Sequence, residues 1–140
     1  MAAQEAREVI TGDGYAVANI DGLGDGPGFR KVRKALGVEA FGVNAIVLPA
    51  GYTSNRHFHE EQEELYFVHE GTIEFQFGDG TTQRLGPGGV ARVAAPTVRA
   101  LHNAGDGDAV YLCVGGKDGY VGRDGRLPDG EGMGGAGAGG

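Results

Sequence analysis

Cysteine is almost missing: Cys113 is the only one in 140 residues. A single thiol allows no disulfide framework and no cysteine-based zinc site. Within the apolar run AVYLCV it reads as a small core residue. No apolar run approaches the ~20 residues that a membrane-spanning helix needs. The chain also lacks a basic cluster able to grip a phosphate backbone, and its net charge of −7 argues against nucleic acid as a partner. The beginning, MAAQEAREVI, lacks the basic-then-apolar order of a secretion signal. A soluble, cytoplasmic protein with no membrane partner is expected. At 140 residues it should be one domain, long enough to bury its own core.

What is abundant is short alternating segments punctuated by glycine. Glu8 to Thr11 and Tyr15 to Ile20 read as strands around a Gly-Asp-Gly turn, and Asp21 to Gly28, with four glycines and a proline, reads as a loop. Phe29 to Leu36 is ambiguous. Phe29, Val32 and Leu36 have helical spacing, and its four basic residues are the densest positive charge in the chain. It reads either as a solvated amphipathic turn or edge strand, or as a cationic rim for an anionic ligand. Phe41 to Leu48, Thr72 to Phe77, Thr81 to Leu85 and Val90 to Ala94 follow as strands. Val98 to Asn103 and Ala109 to Val114 are expected to pair across the turn Ala104 to Asp108. Eight or more short strands with Gly-rich turns indicate an all-β antiparallel sandwich or barrel. The tail from Lys117 differs. Gly130 to Gly140 holds seven glycines in eleven residues and reads as flexible coil, with Tyr120 and Val121 placed to pin its start.

The stretch Gly51 to Gly71, GYTSNRHFHEEQEELYFVHEG, carries the chemistry. On an extended strand His57 and His59 project from one face, because side chains alternate with period two. The polar run Glu60 to Glu63 reads as a turn, after which Glu64 opens a strand running to Glu70. Two imidazoles and one carboxylate would converge, a set that a divalent transition metal accepts while leaving positions open.

This spacing resembles the first motif of the cupin superfamily, Gly-x5-His-x-His-x3,4-Glu-x6-Gly, at every fixed position over 21 residues. The second motif, Gly-x5-Pro-x-Gly-x2-His-x3-Asn, matches at Gly88 and Asn103. Ala94 and Pro96 stand where the family has its proline and second glycine, and Arg99 stands at the histidine position. The resemblance covers about Ala40 to Gly115. It implies a cupin-type jelly-roll barrel, or double-stranded β-helix, over residues 1–116 with its core at about 40–115. Residues 117–140 would then be an extended, largely flexible tail. By the same analogy a homodimer is expected, covering the outward apolar strip Leu65, Phe67 and His69.

In the family the histidine at the Arg99 position completes a three-histidine, one-glutamate set. A guanidinium has no lone pair to give. At about 5 Å from a dication and an effective dielectric of about 20 it would oppose binding by roughly 6–7 kcal/mol. His102 and His69 sit at odd offsets from Arg99 and Glu64 and should face away. Two pictures follow. In the first, His57, His59 and Glu64 hold Fe, Mn, Ni or Zn in an arrangement that suits the oxygen or Lewis-acid chemistry of a dioxygenase or isomerase, and Arg99 forks onto an anionic small molecule. In the second, Arg99 pairs with Glu64 and the cavity is a metal-free binding or sensor pocket. A metal-free acid–base enzyme using His57 or His59 is a third. Tyr66 and Val68 share the face of Glu64 and should line the cavity, with Tyr66 able to offer its hydroxyl to a ligand. Asn103 should hold a turn.

Overall fold

The computed structural model describes residues 8–128 and 137–139. Twelve short strands, one helical turn and two 3-10 turns occur among them. Strands β1 (Ile10–Gly12) and β2 (Tyr15–Val17) form a hairpin that stands apart. The ambiguous basic segment splits into β3 (Gly28–Arg30) and a helical turn α1 (Val32–Leu36) closed by Gly37 in the left-handed conformation at φ 73°. Its two arginines are engaged within the protein, while Lys31 and Lys34 are exposed. Arg30 is buried and donates to the Gly26 carbonyl at 2.7 Å, while the Arg33 guanidinium stacks over the Tyr120 ring at 4.0 Å.

The barrel is two antiparallel sheets face to face. One has five strands in the order β3, β4 (Gly42–Leu48), β11 (Ala109–Gly116), β6 (Glu63–Glu70) and β9 (Val90–Val93). The other has the order β10 (Arg99–Asn103), β7 (Ile73–Phe77) and β8 (Thr82–Leu85). Residues 53–57 extend it beside β10 through the bridges Thr53 with His102 and His57 with Arg99. A fourth pairing joins β5 (Phe58–His59) to β12 (Gly125–Arg126).

Strand alternation sorts the side chains. Along β6, Glu64, Tyr66 and Val68 are buried while Leu65 and Phe67 are exposed. Along β11, Ala109, Tyr111, Cys113 and Gly115 face inward. The core joins Ile46, Tyr66, Val68, Ile73, Phe75, Leu101 and Tyr111, with the Tyr66 and Phe75 rings packed edge to face at 5.4 Å.

One pairing differs from the sequence expectation. β10 and β11 do not form a hairpin: β10 pairs with β7, and β11 lies between β4 and β6 in the opposite sheet. The connecting segment crosses from one sheet to the other, and Asn103 organises that crossing. Its amide donates to the carbonyls of Leu48 and Gly107, both at 2.8 Å, and its oxygen accepts from Gly105 N–H at 2.9 Å. Local alternation cannot distinguish a hairpin from such a crossing, because both need a short polar turn between two apolar strands.

The coil expected over Gly130 to Gly140 falls mostly outside the described residues. Gly137–Gly139 are described, and they do find something to bury: they form a 3-10 turn packed against β4 and β11. Gly42 and Gly115 are register partners on those strands. A Cβ on Gly42 would collide with the Ala138 carbonyl, and one on Gly115 would press on the Gln62 side chain and the Ala138 methyl. The two glycines make a smooth seat for the turn. Among the described residues no helix is long and apolar enough to cross a membrane.

Candidate metal centre

The site lies where the two sheets face each other. His57 and Arg99 are directly opposed, exchanging backbone hydrogen bonds of 3.0 and 2.8 Å, so their side chains share one face. His59, two residues on, lies on that face too. Glu64 approaches from β6 in the other sheet. Ligand atoms of His57, His59 and Glu64 lie within 4.8 Å of one another, and all three residues are buried. The convergence expected from the His-x-His-x4-Glu spacing is present.

Each histidine is anchored by the nitrogen turned away from the site. His57 Nδ1 is 2.8 Å from the Asn55 carbonyl, and His59 Nδ1 is 2.6 Å from Asp124 Oδ1. A carbonyl and a carboxylate only accept, so both Nδ1 atoms donate and Nε2 is the inward nitrogen in each ring. Among the described residues neither Nε2 has an aligned hydrogen-bond partner, although both are buried. His59 Nε2 lies 3.1 Å from Glu64 Oε1, an ion-pair distance without hydrogen-bond alignment. An outer acceptor fixing Nδ1–H while Nε2 points inward is the arrangement that orients metal-binding histidines. This donor set fits a divalent transition metal.

Asp124 was not legible in the sequence. It sits in the segment expected to be tail, yet it is buried and accepts from His59 Nδ1, Gln62 Nε2 and the Glu61 and Gln62 amides. The pairing of β12 with β5 places it there.

Glu64 is closely surrounded. Oε1 receives the Tyr66 hydroxyl at 2.7 Å and Arg99 Nη2 at 3.1 Å. Oε2 receives the Ala138 amide at 2.8 Å and the Cys113 thiol at 3.1 Å. Burial alone would raise its pKa, but His59, Arg99 and the Ala138 amide hold the carboxyl well below the usual carboxylate range. Burial depresses His57, and its contact with Asn55 offsets this only partly, so it is lowered. Burial acts in the same direction on His59, yet Glu64 and Asp124 outweigh it and its pKa is raised. Burial in the presence of Glu64 pushes the Cys113 thiol and the Tyr66 hydroxyl well up, so both stay protonated.

Arg99 is buried and its donors are met by protein. Nη1 is 2.6 Å from the Thr97 carbonyl and 3.2 Å from that of Ala95, Nε is 3.3 Å from the Tyr66 hydroxyl, and Nη2 holds Glu64. A cavity of about 370 Å³ opens beside the site, lined by His57, Tyr66, Tyr111 and Cys113; Arg99 is not part of its wall. Tyr66 therefore both lines the cavity, as expected, and spends its hydroxyl proton on Glu64. His69 is exposed, and His102 Nδ1 is 2.8 Å from the Thr53 hydroxyl; neither joins the cluster. Cys113 is a core residue as expected, and its thiol also contacts the carboxylate.

Comparison with known proteins agrees with this geometry. The family profile described as "Cupin domain" matches residues 44–115. A sugar phosphate isomerase of the cupin superfamily from Silicibacter pomeroyi is 30% identical at a TM-score of 0.59, the match covering 75% of this chain and 60% of that one. A cupin protein from Bacteroides fragilis is 26% identical at a TM-score of 0.59, covering 69% and 80%. A DMSP lyase from Ruegeria pomeroyi is 26% identical at a TM-score of 0.56, covering 67% and 46%. The chain thus spans less than two thirds of the isomerase and less than half of the lyase. No curated protein matches it. Motif, barrel and profile agree, and the chain belongs to the cupin family.

Proposed function

We propose that the protein binds a divalent transition metal (Fe, Mn, Ni or Zn) through His57 Nε2, His59 Nε2 and Glu64, and acts on a small molecule admitted through the adjoining cavity. The observation that carries this is the convergence of ligand atoms of His57, His59 and Glu64 within 4.8 Å of one another, each imidazole fixed from behind through Nδ1. A bound metal would supply Lewis-acid or oxygen-activating chemistry, as in an isomerase or dioxygenase. The resemblance to a sugar phosphate isomerase and to a lyase supports an enzyme that works on a small molecule. His57, held neutral by burial, offers its lone pair. Asp124 orients His59. Arg99 keeps Glu64 ionised and fixed, and Tyr66 shares that carboxylate at the edge of the cavity. The exposed strip Leu65, Phe67 and Val90 supports assembly as a homodimer.

A second reading is favoured by the Arg99–Glu64 ion pair at 3.1 Å, which occupies the carboxylate without a metal and would make the barrel a binding or sensor pocket. Elemental analysis of untagged protein, beside Arg99→His, separates the two. Near-stoichiometric metal in the native protein is expected. Native protein that stays empty while Arg99→His fills would establish the second reading, and two empty proteins would remove metal from the account.

A further inference from the structure

The two oxygens of Glu64 are held differently. Oε1 lies 3.1 Å from His59 Nε2 and is the oxygen that faces the histidines. Oε2 receives the Ala138 amide at 2.8 Å and the Cys113 thiol at 3.1 Å. A carboxylate pinned through one oxygen offers the other to a metal in a fixed direction, and removing such a support costs about 10- to 100-fold in metal affinity.

The turn that carries this amide is received by the barrel at each of its residues. Asn44 Nδ2 donates to the Gly137 carbonyl at 2.7 Å, and the Tyr120 hydroxyl donates to that of Gly139 at 2.8 Å. The Ala138 side chain is buried in the core between them, over the seat that Gly42 and Gly115 leave open. Gly137, at φ 53°, lies so close to Glu64 that a Cβ on it would collide with Oε2. A contact made by a strand side chain cannot leave the site while the sheet is intact. One made by the main chain of a docked turn is present only while the turn is seated.

We infer that Gly137–Gly139 is a positioning element of the metal centre: its Ala138 amide fixes Glu64 in the metal-binding orientation, so that seating of the turn and binding of a divalent metal strengthen each other. This role rests on the metal site proposed above. Linkage is reciprocal, so the factor by which the seated turn raises metal affinity is the factor by which metal favours seating.

The test is amide hydrogen exchange by NMR on the metal-stripped full chain, with and without zinc, beside zinc affinity from chelator competition. Without metal, the Ala138 amide should exchange faster than that of Asn103 in β10, which is bonded to the Tyr52 carbonyl. Saturating zinc should slow Ala138 about 10- to 100-fold and leave the Gly105 amide, held by the Asn103 side chain, within about twofold. Gly42→Ala unseats the turn without touching a proposed ligand, because the atoms nearest the added Cβ all belong to Ala138. Gly42 lies in β4 without a positive φ, so the strand accepts alanine. This variant should keep its circular dichroism, exchange Ala138 freely and bind zinc about 10- to 100-fold more weakly while folded. A merely structural turn would lower stability and leave the zinc affinity of the folded protein unchanged. Unchanged Ala138 exchange in a zinc-loaded protein overturns the inference, as does an Ala138 amide no faster than Asn103. A folded Gly42→Ala that exchanges Ala138 freely yet matches the parent's zinc affinity overturns it as well. The metal reading is scored separately: a parent that binds no zinc sinks that reading and the coupling together, whereas a parent that binds zinc without slowing Ala138 sinks only the coupling.

Discussion

Arg99→Met should reveal how much of the site's stability rests on one ion pair. Arg99 and Glu64 are both fully buried, so water cannot replace the lost partner. Removing one member of a buried pair costs about 3–5 kcal/mol, chiefly because the remaining charge is left uncompensated. Here Glu64 keeps His59, the Tyr66 hydroxyl, the Ala138 amide and the Cys113 thiol, which argues for the lower end, about 3 kcal/mol. The carbonyls of Thr97 and Ala95 lose their shared donor, which prevents the loss from being trivial. At roughly 3 °C per kcal/mol for a chain of this length, Tm should fall by about 10 °C. The assay is urea unfolding in a chelator, with the double variant Arg99→Met/Glu64→Gln completing a cycle. Replacing the stranded carboxylate by a neutral amide should return about 1–2 kcal/mol relative to Arg99→Met alone. A single variant within 1 kcal/mol of the parent, or a double variant with purely additive losses, would refute the claim that charge compensation is what Arg99 supplies.

Other outcomes follow from the same geometry. Asp124→Asn, which removes the charged acceptor behind His59, should weaken metal binding about 10- to 100-fold in chelator competition while leaving the fold intact by circular dichroism. Deleting residues 129–140 removes the Ala138 amide from Glu64 and the turn from its glycine seat, so it should cost about 1–3 kcal/mol. The same deletion should speed alkylation of Cys113, the only thiol; an unchanged rate would mean that the turn does not cover the site. The pKa of His59 is raised, so its charged form stabilises the metal-free protein fully below about pH 6.5, and that contribution is lost as pH rises through the higher folded value. A metal must displace that proton, whereas His57, whose pKa is lowered, is already neutral. Metal affinity should therefore rise about tenfold per pH unit from pH 6.5 until His59 is deprotonated. Competition titrations showing a slope near two, or none, would contradict this assignment.

Residues near one another in sequence were legible because periodicity carries through to the structure. His57, His59, Glu64 and Tyr66 lie within ten residues, and strand alternation alone put them on inward faces. Arg99 came from motif spacing, and its contact with Glu64 is one of the two pictures that spacing allowed. What could not be read was any partner contributed from afar. Asp124 looked like part of a polar, glycine-rich tail, and nothing local marks it as the carboxylate behind His59. Ala138 contributes only a backbone amide, which every residue but proline possesses, so it leaves no sequence signal.

By itself the sequence determined the all-β class, the inward and outward faces of β6, the glycine turns and the histidine–glutamate cluster. Each of these depends on spacing within a few residues and on the two-residue pleat. Tertiary structure decided three things. It sent β10 and β11 to opposite sheets, sealed Arg99 against Glu64 rather than leaving it on the cavity wall, and brought Asp124 and Ala138 to the site from the far end of the chain. These are long-range choices. They depend on contacts between residues far apart in the chain, a condition on the whole barrel that no single segment can express.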